Sequence, residues 1–159
     1  MEFAVGPALL AGLVGTVAMT AAMMMGRAMG MTSMDIALIT GGMMTGDERR
    51  ARTVGMVIHF VVMGTVVFGL IYAAVFHWTG SASWLAGLVV GLIHGLAVGV
   101  IAMPMMGEVH PRMRGSGDGF RLGAPGFMGI GYGKGTPMGL LVGHLIYGVV
   151  VALVYAALV

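Results

Sequence analysis

The sequence predicts an all-α integral membrane protein built as a bundle of four transmembrane helices. Only 9% of its 159 residues are charged and 58% are hydrophobic, whereas soluble domains carry about 25% charged residues. Residues 53–107 contain no Asp, Glu, Lys or Arg. All eight basic residues fall within two segments, 27–52 and 107–137. These observations predict a single membrane domain, residues 1–159, with its charges confined to loops.

The charge-free stretch predicts the central pair of spans. Residues 53–76 (span two) and 84–106 (span three) each exceed the roughly 20 apolar residues that cross a hydrocarbon core of about 30 Å. The link between them, residues 77–83, is short. We therefore expect the two spans to be antiparallel neighbours.

The other two spans lie at the ends of the chain. Residues 3–26 (span one) follow only one charged residue, Glu2. A secretory signal would have a basic segment before a shorter apolar core, so we expect a retained span. Residues 138–159 form span four.

Both charged loops contain a segment with structure of its own. Residues 34–45 predict a short interfacial or re-entrant helix, with Ser33 as its N-cap and Gly41–Gly42 at its end. The loop 107–137 is rich in Gly and Pro and cannot be a regular helix. Its uncharged part, residues 122–133, is expected to fold back onto the bundle.

The basic residues also predict orientation. Positive charge marks cytoplasmic loops, so loops 27–52 and 107–137 are expected in the cytoplasm and both termini outside. Trp78 and Trp84 then lie at the outer interface, where aromatic residues are enriched.

The chain shows signs of internal duplication. His59 is followed by Gly64 in span two much as His144 is followed by Gly148 in span four. This predicts two helical hairpins related by a pseudo-twofold axis along the membrane normal.

Small residues at four-residue spacing predict close helix packing in lipid. Span three carries such a series, and Gly148 offers a complementary surface on span four. We expect an internal contact between these spans, with a homo-oligomer as the alternative. The residues of the series are Gly87, Gly91, Gly95 and Gly99.

Histidines inside the spans are candidate functional residues, because buried polar groups in lipid are costly. At 1.5 Å per residue, His59 and His144 lie at a shared depth of roughly 10–12 Å, and His94 at roughly 18 Å. Two imidazoles at one level suit the axial positions of a b-type haem, which makes His94 the weaker candidate. Alternatively, each ring bonds a backbone carbonyl or a nearby hydroxyl, such as those of Thr16, Thr20 and Thr65.

Methionine is unusually abundant, with 18 residues. Met19 and Met23, and likewise Met25 and Met29, are spaced by one helical turn. Thioethers together with imidazoles suit Cu(I), so copper is the alternative to haem. Methionine is also an ordinary filler of apolar gaps.

Several function classes are disfavoured. The chain has no Cys, which removes disulfides, thiolate metal sites and thiol nucleophiles. Residues 131–136 lack the spacing of a phosphate-binding loop, and the basic residues are placed as orientation signals rather than as a nucleic-acid surface. Glu108, His110 and Asp118 are expected to be solvated, so no catalytic residues and no enzymatic activity are predicted.

Around His144 to Gly148 and its counterpart His59, with Pro125 to Phe127 and Tyr132–Gly133, the chain resembles a family of small four-span prokaryotic membrane proteins of unknown function. The resemblance implies four helices in a prokaryotic plasma membrane and no assigned activity.

We expect the protein to act as an accessory subunit of a larger membrane electron-transfer complex, with a haem bound between His59 and His144. The alternatives are a Cu(I) transporter and a purely structural scaffold. The expected partners are the lipid bilayer and other membrane subunits or further copies of the chain.

Overall fold

The computed structural model describes residues 1–115 and 118–159, and all regular structure within them is helical. Ser116 and Gly117, in the predicted loop 107–137, lie outside the described residues. Four helices are long and apolar enough to cross a membrane: α1 (Val5–Ala28), α3 (Glu48–Thr79), α4 (Trp84–Val109) and α6 (Thr136–Leu158). The loops hold α2 (Ile36–Gly42), α5 (Pro111–Arg114) and a 3₁₀ turn (Phe127–Tyr132). The prediction of an all-helical chain with four helices long and apolar enough to cross a membrane is confirmed.

The central pair of the bundle is α1 and α6. Helix α6 packs against both α1 and α4, and α3 packs against α1. The backbones of α3 and α4 come close only in the segments beside the link, and further along the two helices meet through side chains, since the Phe68 and His94 rings pack 3.8 Å apart. The two spans are therefore neighbours, as expected, but the close backbone contacts of each are mainly with other helices. The reason is that their glycines face other helices: Gly64 and Gly69 lie against Gly12 of α1.

Glycines also set the contact between α4 and α6. A Cβ added to Gly91 would lie 2.5 Å from the carbonyl oxygen of His144, and one added to Gly87 would meet the carbonyl of Gly148. A Cβ on Gly95 would lie 3.0 Å from the His144 Cβ. Gly99 differs, because it faces Met128 of the 3₁₀ turn. Three of the four predicted glycines thus lie against α6, within one chain.

Two long helices contain π-helical segments, Ile58–Phe68 in α3 and Val98–Ala102 in α4. The second lies next to Pro104, which has no N–H to donate to an α-helical ladder. The π segments thus lie in the two helices that the short link joins, α3 and α4. Segments of this kind are frequent at functional sites.

Two tyrosine hydroxyls connect α6 to other parts of the bundle. Tyr147 donates to the carbonyl of Gly64 at 2.7 Å. Tyr155 donates to the carbonyl of Glu2 at 2.8 Å and accepts from the N–H of Ala4 at 2.9 Å. Both side chains are buried, so their hydroxyls need these partners.

The N-cap of α2 is Asp35, whose carboxylate accepts the N–H of Leu38 at 3.1 Å. The prediction of Ser33 as the cap is wrong. The Ser33 hydroxyl donates instead to the carbonyl of Tyr132 at 3.0 Å, a partner 99 residues away that local sequence does not reveal.

Asp35 also pairs with two arginines. Its carboxylate lies 2.8 Å from Arg27 at the end of α1 and contacts Arg52 in the first turns of α3. Burial by itself raises the pKa of Asp35. Hydrogen bonds from Arg27, the Leu38 N–H and Arg52 more than offset it, so the pKa lies below its ordinary value of 3.8.

Helix α2 is held tightly against the start of α3. A Cβ on Gly41 would collide with the carbonyl of Ala51, and one on Gly55 with the carbonyl of Ala37. The Thr40 hydroxyl donates to the Gly55 carbonyl at 3.1 Å.

His110 is fully buried, although it was expected to be solvated with Glu108 and Asp118, which are exposed. Its Nε2 lies 2.8 Å from the carbonyl of Ile39 in α2, and its Nδ1 accepts the N–H of Arg112. The ring therefore links two segments of the basic end.

The loop after α5 returns to the bundle, as its composition predicts. The 3₁₀ turn packs against α4 and α6, and Met128 within it is buried. The Tyr132 hydroxyl donates to the Gly123 carbonyl at 2.7 Å, and burial raises the pKa of Tyr132 to about 12. Phe127 stays 62% exposed.

Candidate functional site

A cavity of about 200 Å³ lies inside the bundle, and we call it the inner cavity. All four long helices line it, and α2 contributes Ile36, Ile39 and Thr40 at the basic end. His59, His94 and His144 all line it.

The first two predicted histidines each have one ring nitrogen engaged. His144 Nδ1 lies 2.8 Å from the carbonyl of Leu140, one turn earlier in α6. A carbonyl only accepts, so Nδ1 carries the proton and Nε2 is left as a free lone pair. His59 Nε2 lies 2.9 Å from the Thr20 hydroxyl of α1. Both contacts are of the kind expected for a buried imidazole that bonds a neighbour.

His94 lies beside His144 rather than apart from it. Their ring centroids are 4.5 Å apart. The His94 ring packs on Phe68 of α3 at 3.8 Å, and its Nδ1 lies 3.2 Å from the Tyr72 hydroxyl. The structure thus brings all three histidines to one cavity, whereas depth alone set His94 apart.

The second nitrogen of each ring has no hydrogen-bond partner in the described part of the chain. These atoms are Nδ1 of His59 and Nε2 of His94 and His144. These three nitrogens are also not fully buried. Among the described residues, Arg112 Nε is the one side-chain nitrogen or oxygen that is both fully buried and without a hydrogen-bond partner. The three rings therefore keep accessible nitrogens at the cavity that they line.

Methionines supply most of the remaining functional atoms. Of the four predicted residues, Met19 and Met23 line the inner cavity. Met25 and Met29 do not, and they are 60% and 62% exposed. Four further residues that sequence reasoning did not select complete a set of six thioethers: Met34, Met63, Met103 and Met106. In the sequence, only the high number of methionines pointed to these four residues.

The donor set defines what the cavity can bind. Within residues 1–115 and 118–159, no three His, Asp or Glu side chains are grouped closely enough to hold a metal ion. A metal at this site must therefore use thioether sulfur together with imidazole. No carboxylate lines the cavity, which disfavours Mg²⁺ and Ca²⁺, and the mixed donors favour a soft ion such as Cu(I).

A haem requires more room than the cavity offers. Sites for drug-sized ligands occupy about 300–1,000 Å³, and the inner cavity has about 200 Å³. A macrocycle between His59 of α3 and His144 of α6 would therefore need the cavity to enlarge.

Comparison with known proteins identifies a family and no activity. Residues 4–116 match a model described as a family of unknown function (DUF6789), and the chain belongs to this family. The match covers α1 to α5 and ends before α6. No curated protein and no solved structure matches the chain.

Proposed function

We propose that this member of a family of unknown function is a membrane-embedded Cu(I)-binding protein. One observation carries the proposal: three imidazoles, each fixed through one nitrogen and free at the other, share a cavity with six thioethers. Imidazoles that bind metals characteristically have their other nitrogen fixed by a hydrogen bond. Soft sulfur donors select Cu(I) over hard cations.

No carboxylate lines the inner cavity, so a bound Cu(I) ion would have no counter-charge there. An unpaired ion is costly in an apolar cavity, so the cost must be offset by direct coordination. His144 is the best-defined ligand, because the Leu140 carbonyl fixes its tautomer and leaves Nε2 free. Met19 and Met63 provide sulfur from α1 and α3. The ion would thus link helices that otherwise meet through glycine.

Haem is the second candidate, and the free nitrogens of His59 and His144 favour it. It requires the enlargement of the cavity described above. Both haem and copper serve electron transfer. We therefore propose that the protein acts as an accessory subunit of a larger membrane electron-transfer complex.

We also propose its setting in the membrane. Arg27 and Arg52 lie together at the end of the bundle that holds α2. Positive residues favour the cytoplasmic side. This end would face the cytoplasm of a prokaryotic cell, and both termini would lie outside. The glycine contact between α4 and α6 supports the proposed glycine zipper, and the two hairpins would be pseudo-symmetric copies.

Purification from the native membrane separates the candidates. Copper in elemental analysis supports the first proposal, a Soret band supports haem, and a colourless, metal-free protein leaves only a scaffold role. His144→Ala should abolish Cu(I) retention, while His77→Ala, at the exposed end of α3, should not change it. Met19→Leu keeps nearly the same volume and removes the sulfur, so it should weaken Cu(I) binding in a folded protein. Undiminished binding by both His144→Ala and Met19→Leu would contradict the assignment.

A further inference from the structure

A second cavity of about 260 Å³, which we call the vestibule, lies at the charged end of the molecule. It shares three lining residues with the inner cavity: Met23, Met34 and Ile36. These three residues form the partition between the two spaces. The remaining residues of the vestibule wall used below are Thr20, Met24, Arg27, Asp35, Arg52 and Met56.

Ion pairs neutralise the arginines of the vestibule only in part. Its wall holds Arg27, Arg52 and Asp35, and Asp35 pairs with both arginines. Arg52 also lies 3.0 Å from Glu48, which is outside the wall. Thioether coordination must therefore hold an entering cation against the remaining positive charge.

Thioethers continue from the vestibule into the inner cavity. Met24 and Met56 are 65% and 39% exposed. They line the vestibule and do not line the inner cavity. Met23 is half-buried, and Met34 is 8% exposed. Met19 lies beyond them, in the inner cavity. Successive neutral sites allow an ion to bind and also to leave, which passage requires.

The partition adjoins an imidazole of the inner site. Thr20 lines the vestibule, and its hydroxyl lies 2.9 Å from Nε2 of His59, which lines the inner cavity. An ion that passes Met23 and Met34 therefore arrives beside His59.

We propose that the vestibule is the route by which Cu(I) reaches the inner cavity, passed from Met24 and Met56 to Met23 and Met34. This inference rests on the proposed function, since it concerns access to the same site. No electron is transferred along the route, and each step exchanges thioether ligands around a copper that stays Cu(I).

The test compares the rate of Cu(I) uptake with the equilibrium affinity. Purified full-length protein in lipid nanodiscs receives Cu(I) from a coloured chelator complex, and the loss of colour is followed by stopped flow. The double variant Met24→Leu with Met56→Leu should take up Cu(I) roughly tenfold more slowly. A tenfold change in rate corresponds to about 1.4 kcal/mol in the activation free energy. Its affinity at equilibrium should equal that of the wild type, because the inner ligands are intact.

The matched control is Met25→Leu with Met29→Leu. Met25 and Met29 are 60% and 62% exposed, close to the 65% of Met24, and they lie in or directly after the same helix as Met24. They line neither cavity, so uptake should not change. Equal rates for the two double variants would overturn the route while leaving the inner site intact. A wild-type protein that takes up no Cu(I) would overturn the proposed function and the route together.

Discussion

Gly91 offers a quantitative test of how the bundle is held together. In Gly91→Ala, the new Cβ lies 2.5 Å from the His144 carbonyl oxygen and 3.2 Å from the Leu145 Cα. These are backbone atoms of α6, which cannot rotate away, so α4 and α6 must separate. Overpacking of this kind costs about 1–3 kcal/mol.

Gly139→Ala in α6 is the matched control, because its Cβ would meet nothing within 4 Å. Both variants gain the same helix propensity to first order, about 0.8–1.0 kcal/mol, so their difference isolates the packing cost. At about 2–4 °C per kcal/mol for a chain of this size, Gly91→Ala should melt about 2–12 °C below Gly139→Ala. The assay is thermal unfolding in detergent, and equal melting temperatures would refute the close contact.

Two further predictions concern the charged end and the orientation. Asp35→Asn keeps an N-capping side chain but removes the charge paired with two arginines, so it should lower the melting temperature at pH 7. Because the folded pKa of Asp35 lies below its ordinary value, the carboxylate stabilises the fold above about pH 4 and loses that effect as the pH falls through the folded pKa. The gap between variant and wild type should therefore narrow as the pH falls below about 4, and a gap that widens in acid would contradict this reasoning. The chain has no native Cys, so Ser81→Cys should be labelled from outside the cell and Gly123→Cys only from the cytoplasm, and the reverse pattern would invert the proposed orientation.

Features that depend on local composition could be predicted from the sequence. The absence of charge in residues 53–107 predicted two helices long and apolar enough to cross a membrane, because lipid tolerates few ionised groups. The spacing of Gly87, Gly91 and Gly95 indicated a close contact, because only small residues permit it.

Features that depend on tertiary arrangement could not be predicted. Asp35 and Ser33 are both good N-caps, and the choice between them is set by the distant Tyr132 carbonyl that Ser33 bonds. Similarly, His94 joins His144 because α4 lies against α6 through its glycines, which depth along a helix does not reveal. Met34 and Met63 line the inner cavity together with residues from all four long helices, an arrangement that local sequence does not reveal.

X-ray absorption at the copper edge of Cu(I)-loaded protein tests the central claim most directly, because it reports which atoms bind the metal. The proposed site predicts both nitrogen and sulfur neighbours, with the sulfur contribution reduced in Met19→Leu and the nitrogen contribution reduced in His144→Ala. A spectrum with oxygen and nitrogen neighbours alone, or a protein that retains no copper after loading, would contradict the His and Met site.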